Sequence, residues 1–378
     1  MTKFIQKLES FSSPPWTYAK FMSVALYDRD VGYYSNNRIK LGKYGDFYTS
    51  NHVHPVFSQS FAMTFLDIVE KEKLPLAICE FGAGDGSFAR NTLTYIKDNS
   101  LEDVTYLIVE SSSYHREILR QQLAQFPDSV KIFASMEQML SEFTSFQGII
   151  FSNEFLDAMP IHLIKQTRQS LYEIQVELNE DGALVEKEII CENPQILHWI
   201  DRYGPQLPEY YRTEINLVMK TWIEKIASWL RKGVIFTVDY GYENSELLLP
   251  ERKDGSIRGY KQHKMVRNPL ENPGEMDITS HVQWDAFRLI TEEVGLTEVM
   301  HVRQDKFLVK AGLFSLLETS ADGTLNPFSD QFKRNQAIQA FVHPGGISAA
   351  FQVNIQEKGL EKQLDYALNK QDSYKIEE

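Results

Sequence analysis

Five short apolar runs limit what this chain can fold into: PLAICEFG (75–82), VTYLIVE (104–110), VKIFA (130–134), QGIIFSNE (147–154) and VIFTVDYG (234–241). Stretches with helical spacing lie between them. One starts at Ser87 and runs to about Lys97, another is SYHREILRQQLAQF, and KTWIEKIASWLRKG leads into the fifth run. The runs are nearly continuous rather than alternating, as in strands covered on both faces. Strands of this length alternating with helices predict an α/β fold, a mostly parallel sheet with helices on both sides. No repeat of fixed period and no low-complexity tract breaks the pattern.

The flanks read differently. Residues 1–74 look mainly helical, with apolar positions such as Phe21, Val24, Ala25 and Leu26, broken by DRDVGYYS and KYGDFYTS. Two insertions are expected within a core of 75–320. The first, about 160–212, contains SLYEIQVELNEDGALVEKEII, which alternates in polarity and reads as a β-hairpin turning at Glu180-Asp181-Gly182. The second, 242–275, is polar, with a local excess of base at Arg252, Lys253, Arg258, Lys261, Lys264 and Arg267. A loop that long inside a compact domain is usually functional or disordered. Residues 321–378 are expected to form an extension packed on the core, its charged end from Gly359 a fraying surface helix.

Composition removes several function classes. A net charge of −13 over 378 residues opposes general nucleic-acid binding, which needs clustered Lys and Arg. It leaves room for a basic protein or peptide partner. Cys79 and Cys191 cannot build a disulfide framework, and Cys79, inside LAIC, reads as a core residue. MTKFIQKLES has no long apolar stretch, and no run reaches the roughly 18 apolar residues a membrane span needs. The expectation is a soluble, cytoplasmic protein with no membrane partner. His52 and His54 lack further ligand residues nearby, and His281 has no partner, so no metal is expected.

The first run opens onto a loop of bare backbone, Gly82, Gly84 and Gly86, with Glu80 before it and Asp85 within it. In an open parallel sheet, ligands bind outside the carboxyl ends of the strands. A dinucleotide fingerprint would read G-x-G-x-x-G. Here the third glycine comes one residue early and carboxylates bracket the loop. That disfavours a phosphate and suits a ligand with an amine and a sulfonium. Glu110 ends the second run, where an acidic side chain can take ribose hydroxyls, or simply sit at a helix N-terminus. Ser135 and Met136 would lie beside the base. Together these positions describe S-adenosylmethionine (SAM). Asn153, Glu154 and Asp157 follow the fourth run, where a methyl acceptor would meet the cofactor. Carboxylates there could align a guanidinium, or cap the short helix that Pro160 ends. Asp239 is a further candidate near the acceptor, or a strand-end turn former.

Across nearly its whole length the chain is similar to the MidA family of SAM-dependent methyltransferases. The resemblance rests on ordered blocks: ALYDRDVGYYS, GDFYTS, EFGAGDGS, NEFLDAMPIH, YGPQLPE, VDYGY, RGYKQHK, PGEMDITSHVQW and RQDKFLVKAGL. It implies a class I, Rossmann-like methyltransferase fold with SAM as cofactor. It also implies a protein arginine as acceptor, as in the family's characterised mitochondrial member. By the same resemblance, Gly82, Gly84 and Gly86 line the methionine part of SAM and Glu110 the ribose. Asp46, Phe47 and Thr49 form a wall from the N-terminal region, and Asn153, Glu154 and Asp157 border the transferred methyl. Where the family continues Pro-Glu after GDF-x-TS, this chain has Asn51-His52, so the acceptor could differ. A small-molecule acceptor and a SAM-binding assembly role remain alternatives.

Overall fold

The computed structural model of the protein describes residues 2–35, 53–318, 329–361, 364 and 368. Asp46, Phe47, Thr49 and the Asn51-His52 pair lie outside the described residues.

Seven strands form the central sheet: β1 (Ala77–Phe81), β2 (Thr105–Val109), β3 (Val130–Phe133), β4 (Phe146–Asn153), β5 (Leu230–Asp239), β6 (Thr297–Arg303) and β7 (Gln352–Lys358). Their spatial order is β3-β2-β1-β4-β5-β7-β6. The five runs read from sequence are β1 to β5, and all their pairings are parallel. The last two strands depart from that pattern. β7 pairs antiparallel with both β5 and β6, so the sheet as a whole is mixed rather than simply parallel. The register explains the reversal. Gln352 starts β7 opposite Asp239 and Arg303, the last residues of β5 and β6. The Gln304 N–H, just past β6, donates to the Phe351 carbonyl at 2.9 Å. The chain leaves β6 and enters β7 at the same edge of the sheet, so β7 must run backwards.

Strand order reverses between β1 and β4, and a crevice opens there at the carboxyl ends of the strands. Alternation of side chains gives each face its own core. Ile78 and Phe151 point toward Phe61, Phe65, Phe88 and Phe307, while Cys79 and Ile150 point toward Trp199, Trp222 and Trp284. Phe61 has six rings within 4.7–6.0 Å, those of Phe57, Phe65, Phe88, Phe151, Phe236 and Phe307. Burying one such side chain contributes about 1.5–3 kcal/mol. Cys79 is fully buried, its Sγ 3.5 Å from Met139 Sδ, and burial pushes its thiol pKa up, as a core residue requires.

The first insertion is larger than a hairpin. Leu171–Leu178 and Leu184–Ile190 do pair around the Glu180-Asp181-Gly182 turn. They belong, however, to a five-stranded antiparallel sheet with Trp16–Thr17, His162–Gln166 and Arg212–Ile215. The helices Thr2–Phe11 and Tyr18–Tyr27 cover it, packing Phe4, Leu8 and Phe21 against Leu163, Ile174 and Val176. The polar 242–275 stretch is also structured. Arg258–Lys261 pairs with Lys264–Val266 on one side and Asp277–Thr279 on the other. Both insertions sit at the carboxyl ends of the central strands, because β4 leads into one and β5 into the other.

Candidate active site

The glycine loop leaves β1 and turns into the helix Ser87–Asn99. Gly82, Gly84 and Gly86 have φ of 72°, 56° and 82°, a region side-chain-bearing residues seldom adopt. The Gly84 N–H donates to Glu110 Oε2 at 3.1 Å, and Glu110 Oε1 accepts the Ser112 N–H at 2.8 Å. One buried carboxylate thus fixes the loop after β1 and the start of the helix after β2. Asp85 makes a local turn, its Oδ1 accepting the Ser87 N–H at 3.0 Å.

A cavity of about 300 Å³ lies over this loop. Glu80, Gly82, Gly84 and Glu110 border it, as do Ser135 and Met136 beyond β3. Asn153, Glu154 and Phe155 border it from β4. Gly86 is not in the wall; it begins the helix, and a Cβ there would sit 2.7 Å from Leu119 Cδ2. Ser135 also caps the next helix, its Oγ accepting the Gln138 N–H at 3.2 Å. Sequence reading missed the walls from elsewhere in the chain: Tyr27, Tyr34, His115 and Trp222. Tyr34 stands in the GYYS block, a signal that was available.

The charge pattern is acidic. Glu80 is 3% exposed and accepts the Tyr106 hydroxyl at 2.7 Å, yet burial, with Glu110 and Asp85 nearby, pushes its pKa up to about 8. No Lys or Arg is among the described residues lining the cavity. Among these described residues a pyrophosphate would find no counter-charge. A ligand carrying an ammonium and a sulfonium suits this acidic wall, and the bare backbone at Gly82 and Gly84 lets it lie close. The residues present fit SAM. When bound, SAM supplies an electrophilic methyl group.

A second cavity, of about 440 Å³, adjoins the first, and Tyr34 and Glu154 line both. Asp157, Tyr240, Arg258, Tyr260, Asp277 and His281 complete much of its wall. Asp157 is 3% exposed; Tyr240 Oη donates to its Oδ2, and its Oδ1 is buried with no hydrogen-bond partner. Burial first, then Asp239 and Asp277, hold its pKa well above the usual carboxylate range. Glu154, at φ 51°, accepts the Asn153 amide at 3.1 Å. Its pKa is likewise pushed well up by burial, Asp157 and Asp277. Asn153 Oδ1 is buried without a partner.

Asp239 stands apart from this set. Its Oδ2 accepts the N–H groups of Phe155 at 3.2 Å and Leu156 at 2.9 Å, so from the end of β5 it anchors the turn that follows β4. His281 is stacked on Tyr242 at 4.5 Å, and burial with Arg258 and Arg252 nearby lowers its pKa to about 3. It is a neutral ring at physiological pH. Tyr240, Tyr242, Arg258 and Asp277 were quoted in the sequence blocks but not singled out for this cavity. Among the described residues there is no cluster of His, Cys, Asp and Glu suited to a metal, and no helix long and apolar enough to cross a membrane.

Comparison with known proteins agrees with this geometry. The sequence pattern of the SAM-dependent methyltransferase family Methyltransf_28 matches residues 60–302. The Caenorhabditis elegans mitochondrial protein arginine methyltransferase NDUFAF7 homolog is 27% identical over 360 residues, 87% of this chain and 79% of its own. The Xenopus tropicalis mitochondrial protein arginine methyltransferase NDUFAF7 is 24% identical over 340 residues, covering 82% and 76%. Among solved structures, a COG1565 superfamily protein from Burkholderia thailandensis bound to S-adenosyl-homocysteine superposes with a TM-score of 0.81. It is 24% identical and covers 95% of this chain and 93% of its own. A second COG1565 structure from the same organism gives a TM-score of 0.79 at 25% identity, covering 93% and 90%. The chain therefore belongs to the MidA-like family of SAM-dependent methyltransferases, with SAM as its cofactor.

Proposed function

We propose that the protein methylates the side chain of an arginine in a protein acceptor, held in the second cavity while SAM occupies the first. Glu80, Gly82, Gly84 and Glu110 would hold SAM, with Ser135 at the base. The observation that carries the acceptor reading is the unpartnered Oδ1 of buried Asp157, beside Glu154 at the junction of the two cavities. Buried carboxyls without a cation hold protons; a cation beside them favours the charged form. A guanidinium supplies that charge, together with a planar fork of donors.

Arginine stays protonated at neutral pH because its pKa exceeds about 12, so its nitrogen has to be oriented and relieved of a proton. Asp157 Oδ1 and the Glu154 carboxylate would hold the guanidinium in line with the first cavity and would accept the proton its nitrogen loses, the methyl group coming from the SAM sulfonium, which would leave as the neutral thioether. Alignment of this kind accounts for much of the rate of a displacement at carbon. The arginine-methylating names of the nematode and frog relatives support the same acceptor. We further read the protein as needing neither nucleic acid nor membrane. Asp46, Phe47 and Thr49 are retained as a proposed wall.

The test is a methyl-transfer assay with labelled SAM on lysate from cells lacking the enzyme, followed by hydrolysis of the labelled protein. Label in methylarginine supports the reading. Label in another amino acid, or a better rate on free arginine than on protein, would overturn it.

A further inference from the structure

The second cavity is acidic at the end it shares with the cofactor cavity, and Arg258 is the lone Lys or Arg among its described lining residues. Arg258 lies on the strand Arg258–Lys261, paired with Thr279 across the small sheet. Its side chain has neutral neighbours. Nη2 lies 2.7 Å from His281 Nε2, and Nη1 lies 3.8 Å from Met265 Sδ. Its Nε is buried with no hydrogen-bond partner, and no carboxylate pairs with Arg258 among the described residues. Lowered to a pKa of about 3, His281 is a neutral ring that cannot balance the guanidinium. Nor is a cation prominent around Glu154 or Asp157; burial and other carboxylates dominate there.

One cavity therefore contains a buried acceptor without a donor, Asp157 Oδ1, and a buried donor without an acceptor, Arg258 Nε. Each carries a desolvation cost that a single ligand of mixed charge would relieve. Arginine forks bind carboxylates through paired N–H groups.

We propose that Arg258 is a specificity-determining residue that binds a carboxylate of the methyl acceptor while Glu154 and Asp157 hold the acceptor's cation. This rests on the reading that the second cavity takes the acceptor. The carboxylate is either an Asp or Glu close to the modified residue in a protein, or the α-carboxylate of a free amino acid.

The experiment maps the residues labelled by wild-type enzyme in lysate from cells lacking it, and resynthesises the best site as a peptide. That peptide is compared with versions in which each nearby Asp or Glu is changed to its amide, and with free arginine. Each is assayed with wild type, Arg258→Ala and Arg258→Lys, with S-adenosylhomocysteine affinity measured alongside as a check on folding. In wild type, one amide exchange should raise KM about tenfold to a hundredfold, the scale of a lost hydrogen bond to a charged group. Arg258→Ala should raise KM on the parent peptide equally, show no further loss on the amide peptide, and keep S-adenosylhomocysteine affinity within twofold. Arg258→Lys should recover part of the loss. If free arginine is the substrate, the same dependence on Arg258 should appear with arginine against its α-amide.

Equal KM for Arg258→Ala and wild type on every acceptor would overturn the proposal, as would additive losses from the residue and the acidic group. A sensitivity to Arg258 with label on a residue other than arginine would support the subsite while removing the arginine reading. Absence of any labelled acceptor with wild type would remove both.

Discussion

Asp239 Oδ2 accepts the Leu156 N–H at 2.9 Å, so the last residue of β5 fixes the turn that carries Glu154 and Asp157. The same oxygen takes the Phe155 N–H at 3.2 Å, and Oδ1 takes the Tyr240 N–H at 2.9 Å. Asp239→Ala leaves these donors buried without an acceptor, at about 1–3 kcal/mol for each. Thermal and denaturant unfolding should show a loss of about 3 kcal/mol or more. Asp239→Asn keeps one oxygen and should lose less, most visibly at pH 8, because burial raises the aspartate's pKa to about 7. An alanine variant as stable as wild type would show that the turn needs no such anchor.

Glu80 gives a pH dependence with a defined sign. Its folded pKa of about 8 lies above the unfolded value of 4.5. Folding therefore favours the protonated form, and the resulting stability is present below pH 4.5 and lost as pH rises through about 8. SAM brings cations that favour the ionised form, so binding should release a proton. Affinity should rise between about pH 6 and 7.5, by at most about tenfold per pH unit for one proton. Calorimetry in buffers of different ionisation enthalpy should find that release, and Glu80→Gln should abolish it. Proton uptake on binding would contradict the assignment.

The Gly84–Glu110 hydrogen bond links the two halves of the cofactor cavity. Glu110→Ala should weaken SAM binding by about 1–3 kcal/mol, the scale of losing hydrogen bonds to a charged group. Gly84→Val should lose binding altogether, since a branched side chain meets both a φ of 56° and the ligand's side of the loop. NADH should not compete with SAM at this site.

The parts legible in the sequence were those whose signal is local. Strands β1 to β5 were visible because each is an apolar run; AICEF and IIFS are unbroken because they are buried on both faces, while β3, at the sheet edge, is only partly buried. Strand β7 was not, because QVNIQEK buries polar side chains, some of them paired within the sheet. Asn354 donates to Glu298 at 2.7 Å and Gln356 donates to Asn354 at 2.9 Å, so a buried strand carries a surface-like composition. At the site, Glu80, Glu110 and Glu154 stand directly at strand ends and could be read from position alone. The pairing of Tyr34 with Asp277 could not. They are 243 residues apart in sequence, and only the fold brings the Tyr34 hydroxyl to Asp277 Oδ1 at 2.7 Å. The role of Asp239 was open for the same reason, since its partners lie more than eighty residues away, after another strand.

The central claim is that Glu154 orients the acceptor at the junction of two cavities and does not simply hold the turn or the cofactor. It is tested most directly by Glu154→Gln, measuring single-turnover methyl transfer and SAM affinity on the same preparation. The amide keeps the shape of the side chain and removes the charge. We predict that transfer falls about a hundredfold or more, the loss expected when a positioned acid–base group is removed, while SAM affinity stays within about twofold. Equal losses of transfer and of SAM affinity, or a variant that transfers methyl at the wild-type rate, would contradict the account.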